Sequence, residues 1–402
     1  MKPPVKAVGV IGGLLLVPAM MPAVSSAATP PVTTTSAFDI TCEVTPRPAV
    51  VGPQTVSTEA AIQITAPQEV ETGEVFTVDL QVDGVTVPTS FEGISATDVS
   101  RIKLDLDVPD NAEFINAQVL DPGSFTAGAT PSVIRIDDNG VPSATGDYLR
   151  LSGNNQTIGN GPTVSRTSPG GMAVVPSAGD ETTLTFPTVR LVFEAGEPGV
   201  VEPGIRTDGQ AGVFGTDESF VSLLARASVP AFGTVTAPAT CQPRDSETGP
   251  LNEGAGPLTT IDVVEPGPVD PGSVITRVEG PGSTDIGDVA SFAANVGVAE
   301  EDETITAIDG GVVQFYADGA PIGEPRPVVR GTARLDLTFN VPGTKLVTAE
   351  YTDADGNSAR ISSPHVLTVV GPEPEPTDPV DPGPAEPTEG SLAVILGSLS
   401  AS

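Results

Sequence analysis

Between Arg101 and Val108, charged and apolar residues trade places at every step. Ile102, Leu104, Leu106 and Val108 alternate with Arg101, Lys103, Asp105 and Asp107, a period of two that predicts a half-buried β-strand. Phe76, Val78, Leu80 and Val82 alternate in the same way with Val75, Thr77, Asp79 and Gln81, and that run stops at Asp83-Gly84. Ile62, Ile64 and Ala66 alternate before a proline. Further strands are predicted over 38–44, 114–119, 132–136, 183–193, 220–227 and 259–264. Asp121-Pro122-Gly123, Asp138-Asn139-Gly140 and Gly170-Gly171 supply turn chemistry between them. No stretch keeps a helical period with caps. The expected fold class is all-β, with one large β-sandwich over residues 38–264. A division into two smaller sandwiches near Gly153–Gly171 is the alternative.

The two ends of the chain break this pattern. Lys2 and Lys6 precede an apolar run from Val8 to Val17, and small residues follow at Ser25, Ser26, Ala27 and Ala28. That order marks residues 1–28 as a secretory signal peptide. Its apolar run is shorter than the ~20 residues that span a bilayer. Residues 29–37, rich in Thr and Pro, are expected to be a linker. Residues 265–273, Glu-Pro-Gly-Pro-Val-Asp-Pro-Gly-Ser, form a second one, which its prolines stiffen. Residues 371–402 begin as an acidic proline-rich stalk and end in the short apolar tail Leu392-Ala393-Val394-Ile395-Leu396.

Between the second linker and the stalk, residues 274–370 read as a separate β module. Gly311 to Tyr316 forms a strand that ends at the Asp318-Gly319 hairpin. Gly331-Thr332-Ala333-Arg334-Leu335, Pro342-Gly343-Thr344 and Val347-Thr348-Ala349-Glu350-Tyr351 follow, and Leu367 to Val370 closes the module. This order and spacing resembles the bacterial Ig-like repeats of large surface proteins and adhesins. The resemblance covers about a quarter of the chain and implies an Ig-like sandwich. It implies no catalytic residues, because the family shares none. After Tyr351 the chain departs from the family's Gly-Asp-x-Asn pattern, with Asp353-Ala354-Asp355-Gly356-Asn357 instead. More weakly, residues 38–264 resemble secreted two-cysteine β modules of high-GC Gram-positive bacteria. They share an aromatic-x-x-x-Cys near the start and a Cys-x-Pro followed by a Thr-Ile-x-Val strand near the end.

Composition adds the compartment. There are two cysteines, Cys42 and Cys241. In an exported chain an even pair reads as a disulfide, here closing the large module. Lys plus Arg number 18 against 52 Asp plus Glu, a net charge of −34. Such a surface repels phosphate backbones and anionic lipid, so nucleic-acid binding and membrane-surface attachment are disfavoured. Pro and Gly, 42 and 44 of the residues, suit short strands and many turns. Trp is absent, which weighs against an aromatic sugar-binding platform.

The chemistry is sparse. One histidine, His365, follows Pro364 and reads as a surface turn rather than a base. Ser152-Gly153-Asn154 has no histidine nearby in sequence to activate its hydroxyl. Catalytic residues are therefore not expected, and the chain is read as a non-enzyme. Calcium is the one cofactor considered, with Asp353, Asp355 and Asn357 as ligands in a short oxygen-rich turn and Asp137-Asp138-Asn139-Gly140 as a second candidate. Asp, Asn and Gly also build hairpin turns unaided, and that is the preferred reading of both. The expected function is a structural or adhesive role at the cell surface or outside the cell, after export through the secretory pathway. Its partner would be a cell-envelope component or an extracellular protein or glycan, met by a monomer without transmembrane insertion. The alternative is a polysaccharide-binding or polysaccharide-acting protein.

Overall fold

The computed structural model describes residues 31–371, except for 50–51, 84, 89, 92–93, 126, 177–180, 230–232, 268–270, 302–303 and 360. The segments read from sequence as a signal peptide, residues 1–28, and as a stalk and tail, residues 371–402, lie outside the described residues but for Gly371. Among those residues the structure is strands and turns, with one 3₁₀ turn at Gly209–Gly212. No described helix is long and apolar enough to cross a membrane.

The strands of the first part are β1 (Val32–Val44), β2 (Gln54–Ala66), β3 (Glu69–Glu71), β4 (Val75–Asp83), β5 (Val85–Pro88), β6 (Ser90–Phe91), β7 (Ile94–Asp107), β8 (Ala112–Asp121) and β9 (Ala127–Gly128). They continue with β10 (Pro131–Ile136), β11 (Tyr148–Gly153), β12 (Met172–Val174), β13 (Glu181–Leu184), β14 (Thr188–Ala195), β15 (Gly199–Val201), β16 (Val221–Val229), β17 (Gly233–Gln242) and β18 (Ile261–Val264). The main sheet runs β10-β11-β7-β16-β17-β1-β2-β4-β14-β8, and its two ends, β8 and β10, come together so that it nearly closes. Strands from both sides of residues 153–171 interleave in it.

The alternating apolar residues point inward. Ile62, Ile64, Val78, Leu80, Ile102, Leu104, Leu106 and Leu151 pack with Phe38, Phe76 and Phe193 in one core. Two small sheets, β13-β5 and β15-β18-β3, flank the main one.

Three expectations need correction. The segment 29–37 is not a linker throughout. β1 begins at Val32, because Thr33, Thr35 and their neighbours pair with β2 in one unbroken ladder from Val32–Ala66 to Val44–Gln54. The strand expected over 183–193 is two, β13 and β14, since Phe186-Pro187 interrupts the pairing and proline offers no N–H to a ladder. β11 and β17 were not foreseen.

The second part contains β19 (Val274–Glu279), β20 (Ser283–Asp285), β21 (Val289–Ala299), β22 (Ile305–Ala307), β23 (Val312–Ala317), β24 (Ala320–Pro327), β25 (Thr332–Thr338), β26 (Gly343–Thr352) and β27 (His365–Val370). One sheet holds β19, β21, β22 and β25, and the other runs β20-β27-β26-β23-β24. Phe292, Phe315, Leu335, Val347, Ala349 and Leu367 fill the space between them. This is a two-sheet β-sandwich with its own core. Asp318 and Gly319 join β23 to β24 with φ of 52° and 80°, the two left-handed positions of a tight hairpin turn.

Candidate functional site

Most of the charged face of β7 does not meet solvent. Arg101, Lys103 and Asp105 are all 0% exposed. They lie under segments that arrive from 137–147, 153–171 and 203–220.

A bulge sets up this face. β7 holds one residue more than β16 between Ser100 and Lys103, the partners of Leu224 and Ser222. Arg101 absorbs the extra residue at a φ of 51°, a conformation disfavoured for a bulky side chain. Val99 and Ile102 thereby both face the core, while Ser100 and Arg101 are buried on polar ground.

Asp105 is the centre of an ionic cluster. Arg150 Nε and Nη2 donate to its two oxygens at 2.8 Å each, a paired geometry of the strong kind. Lys103 Nζ donates to Asp105 Oδ2 at 2.6 Å and also to the Ser219 carbonyl. Arg206 Nη1 reaches Asp105 at 3.3 Å and Glu218 at 3.2 Å, and Arg150 also donates to Glu218. Arg206 Nη2 holds Asp138 at 2.8 Å, and its guanidinium stacks 3.9 Å from the Tyr148 ring centre. Asn160 donates to Glu218, and Asn155 joins Arg150 to the Gly140 carbonyl.

Three cations thus face three carboxylates. Burial alone would raise the Asp105 carboxyl, but Arg150 and Lys103 overcome it and hold the group down at about 2. Burial pushes the Lys103 ammonium down to about 8 against the pull of Asp105. At neutral pH the pair is ionised.

Gly140 makes room for this cluster. At φ +75°, a Cβ there would stand 2.6 Å from Arg150 Nη1 and 2.7 Å from both Asn160 Nδ2 and Glu218 Oε2. A separate clasp fixes 153–171. Arg101 donates to the carbonyls of Ser168, Thr157 and Thr163, with no carboxylate among these partners, and burial lowers its proton affinity.

Chemically, the cluster binds loops to a sheet. Its carboxylates and guanidiniums are engaged with one another. Among the described residues, the buried polar atoms left without a partner include Arg206 Nε, Asp107 Oδ1, Asp217 Oδ1 and the hydroxyls of Ser100, Ser152 and Ser222. Ser152 stands beside Lys103 in the ladder, but its hydroxyl bonds to nothing there and is fully covered.

Of the residues named from sequence, Asp138 and Gly140 meet the ionic cluster and most others fall elsewhere. Cys42 and Cys241 sit directly opposite each other on β1 and β17 and form a disulfide. Asp353, Asp355 and Asn357 occupy the exposed turn after β26. There Asp353 Oδ1 accepts the N–H groups of Asp355 and Asn357, and Oδ2 accepts the Asn357 amide. These bonds, the Asn357 side chain first, lower the Asp353 carboxyl. Among the described residues no three His, Cys, Asp or Glu side chains converge as a metal site. Asp137 caps its own turn through the N–H groups of Asn139 and Val141, while Asp138 belongs to the ionic cluster. His365 is not an exposed turn residue. It opens β27, its ring packs edge-on to Phe292, and its Nε2 lies 3.0 Å from the Pro281 carbonyl. Arg150, Arg206 and Glu218 escaped sequence reading, although a lone Arg150 between Leu149 and Leu151 was a visible signal.

No protein-family model matches the chain. No curated protein matches it either. Among solved structures it weakly resembles a Corynebacterium diphtheriae protein described as membrane anchored, at 17% identity and a TM-score of 0.31, over 87% of this chain and 61% of that one. Fibronectin(III)-like modules of CbhA from Clostridium thermocellum align at 10% identity and a TM-score of 0.20, over 77% of this chain and 94% of theirs. SGBP-B of the Bacteroides ovatus mixed-linkage glucan utilization locus, solved with a mixed-linkage heptasaccharide, aligns at 8% identity and a TM-score of 0.16, over 86% of this chain and 65% of that one. This chain spans less than two thirds of the first and last of these.

Proposed function

We propose that the chain works outside the cell as a non-catalytic structural or adhesive envelope protein. The large module is a rigid unit, and the Ig-like module, of the kind repeated in bacterial surface proteins, is a spacer or binding unit. The observation that carries this reading is the Cys42–Cys241 disulfide, because such bonds form and persist in oxidising compartments. The ionic cluster supports the absence of catalysis. Catalysis needs a tuned base within reach of a nucleophile and a substrate, whereas Asp105 and its cations are 0% exposed and spent on each other. The formal charge of −34 disfavours nucleic acid as the partner.

The test is to fractionate cells into wall, membrane, medium and cytoplasm, and to treat intact cells with protease. The expected result is chain in the envelope or medium, cleaved by protease added from outside, with no free thiol. Cytoplasmic chain carrying two free thiols would overturn the reading. Saturable binding of the mature chain on a glycan array would favour the polysaccharide-binding alternative.

A further inference from the structure

The segment 203–212 lies along the end of β7 like an added strand. The Asp107 N–H donates to the Gly204 carbonyl at 3.1 Å, Arg206 N–H donates to the Asp105 carbonyl at 3.1 Å, and Ile205 bridges Leu106. Ile205 is buried in the core. Beyond it, the Tyr148 hydroxyl donates to Asp208 at 3.0 Å, and Gln210 N–H donates to Asp138 at 2.8 Å. Gly209, at φ +54°, lets the segment approach this closely, since a Cβ there would stand 2.2 Å from Asp138 Oδ1 and 2.9 Å from the Tyr148 hydroxyl.

One group in this contact does not fit a purely ionic clamp. Asp107 ends β7 directly opposite Tyr148 in the ladder. Its Oδ1 is buried without a hydrogen-bond donor. The charged groups around it are Asp208 and Arg206 on the 203–212 segment, Asp105 on its own strand and Asp110 in the turn that follows. β11 contributes Tyr148, whose hydroxyl is already given to Asp208. Three anions therefore surround Asp107 against one cation, and Arg206 already serves Asp105, Glu218 and Asp138.

We propose that Asp107 is a proton-operated latch on the 203–212 segment: protonated, it lets the segment lie closed over the ends of β7 and β11, and ionised, it repels Asp208 and loosens the segment. The proton removes one of two facing negative charges and turns an undonated oxygen into a donor. Burial, and then Asp208, raise this carboxyl to about 7, with Arg206 opposing. A carboxyl raised in the folded state contributes stability that is full below its ordinary value of about 4 and is lost as pH rises through 7. The latch is closed in mild acid and open in mild alkali.

Hydrogen–deuterium exchange of the mature chain at pH 5.5 and pH 8.0, corrected for intrinsic exchange, tests this. Protection of 203–212 in the wild type is expected to fall by roughly ten- to thirtyfold between the two, the larger value holding if the opened segment returns Asp107 to its ordinary proton affinity. Asp107→Asn keeps the shape and removes the charge, so the segment stays protected at both pH values. Asp208→Asn leaves a single carboxyl and an oxygen for Tyr148, and flattens the pH response in the same way. β21 and β25, which pack in the separate core of the second part, serve as internal reference. A wild-type response that persists in both variants, or a wild type whose protection does not change with pH, would overturn the latch.

Discussion

Replacing Asp105 by Asn tests the ionic cluster most directly. The substitution keeps the side-chain volume and deletes the charge that Lys103, Arg150 and Arg206 share. Salt bridges of this depth are weak evidence of net stabilisation, because desolvating each ion opposes the attraction. Removing one partner is different, since it strands buried cations. Such a break is worth about 3–5 kcal/mol, and for a module of this size that lowers Tm by on the order of 10 °C. Urea titration of the chain followed by circular dichroism would read it in the first module's transition. Arg150→Met should show a loss of similar size. The double variant Asp105→Asn/Arg150→Met deletes one charge of each sign, so it should lose less than the sum of the two by about 1–3 kcal/mol. Because Asp105 is held at about 2, its contribution is present above pH ~4 and lost as pH falls towards 2, and the Asn variant lacks that acid limb. A single-variant loss below about 1 kcal/mol, together with additivity in the double, would refute the cluster as a coupled unit.

Three further outcomes follow from the same framework. Replacing Cys42 and Cys241 by Ser opens a loop with a sequence separation of 199. It should destabilise the first module by up to about 5 kcal/mol in the chain-entropy model and leave the transition of the second β-sandwich where it is, as separate calorimetric peaks would show. Arg101→Met removes three donors from 153–171 and should speed tryptic cleavage after Arg166, which is 45% exposed on that segment; unchanged cleavage would dismiss the clasp. Gly140→Ala drives a methyl group into Arg150, Asn160 and Glu218 and strains a left-handed backbone, so thermal melting should fall by more than the ~1 kcal/mol equivalent that backbone strain alone supplies.

The inward half of this fold was legible in the sequence, and the outward half was not. Ile102, Leu104 and Leu106 alternate cleanly, and they sit in the core as that pattern requires. The same pattern assigned Arg101, Lys103, Asp105 and Asp107 to a half-buried strand's wet face. That assignment fails for Arg101, Lys103 and Asp105, because periodicity reports only that two faces differ. What covers the second face comes from Arg150, Arg206 and Glu218, which lie 45, 101 and 113 positions from Asp105 in the chain, beyond any local window. The Asp318-Gly319 hairpin was legible because its residue types match the backbone it needs. The start of β1 was not, since Thr-rich sequence suits both a linker and an exposed ladder. The disulfide pair could be read from cysteine count and compartment, whereas its place on neighbouring strands could not.

The bridge between β1 and β17 has a mechanical consequence. A pull applied through the two ends of the first module enters at β1 and leaves after β17, and the covalent link lies across that route. Force then passes from Cys42 to Cys241 without loading the residues between them. Unravelled, that stretch, a sequence separation of 199, would release roughly 650 Å of chain. With the sulfurs joined, the module gives up only its short outer segments, and it behaves under tension as a nearly inextensible link.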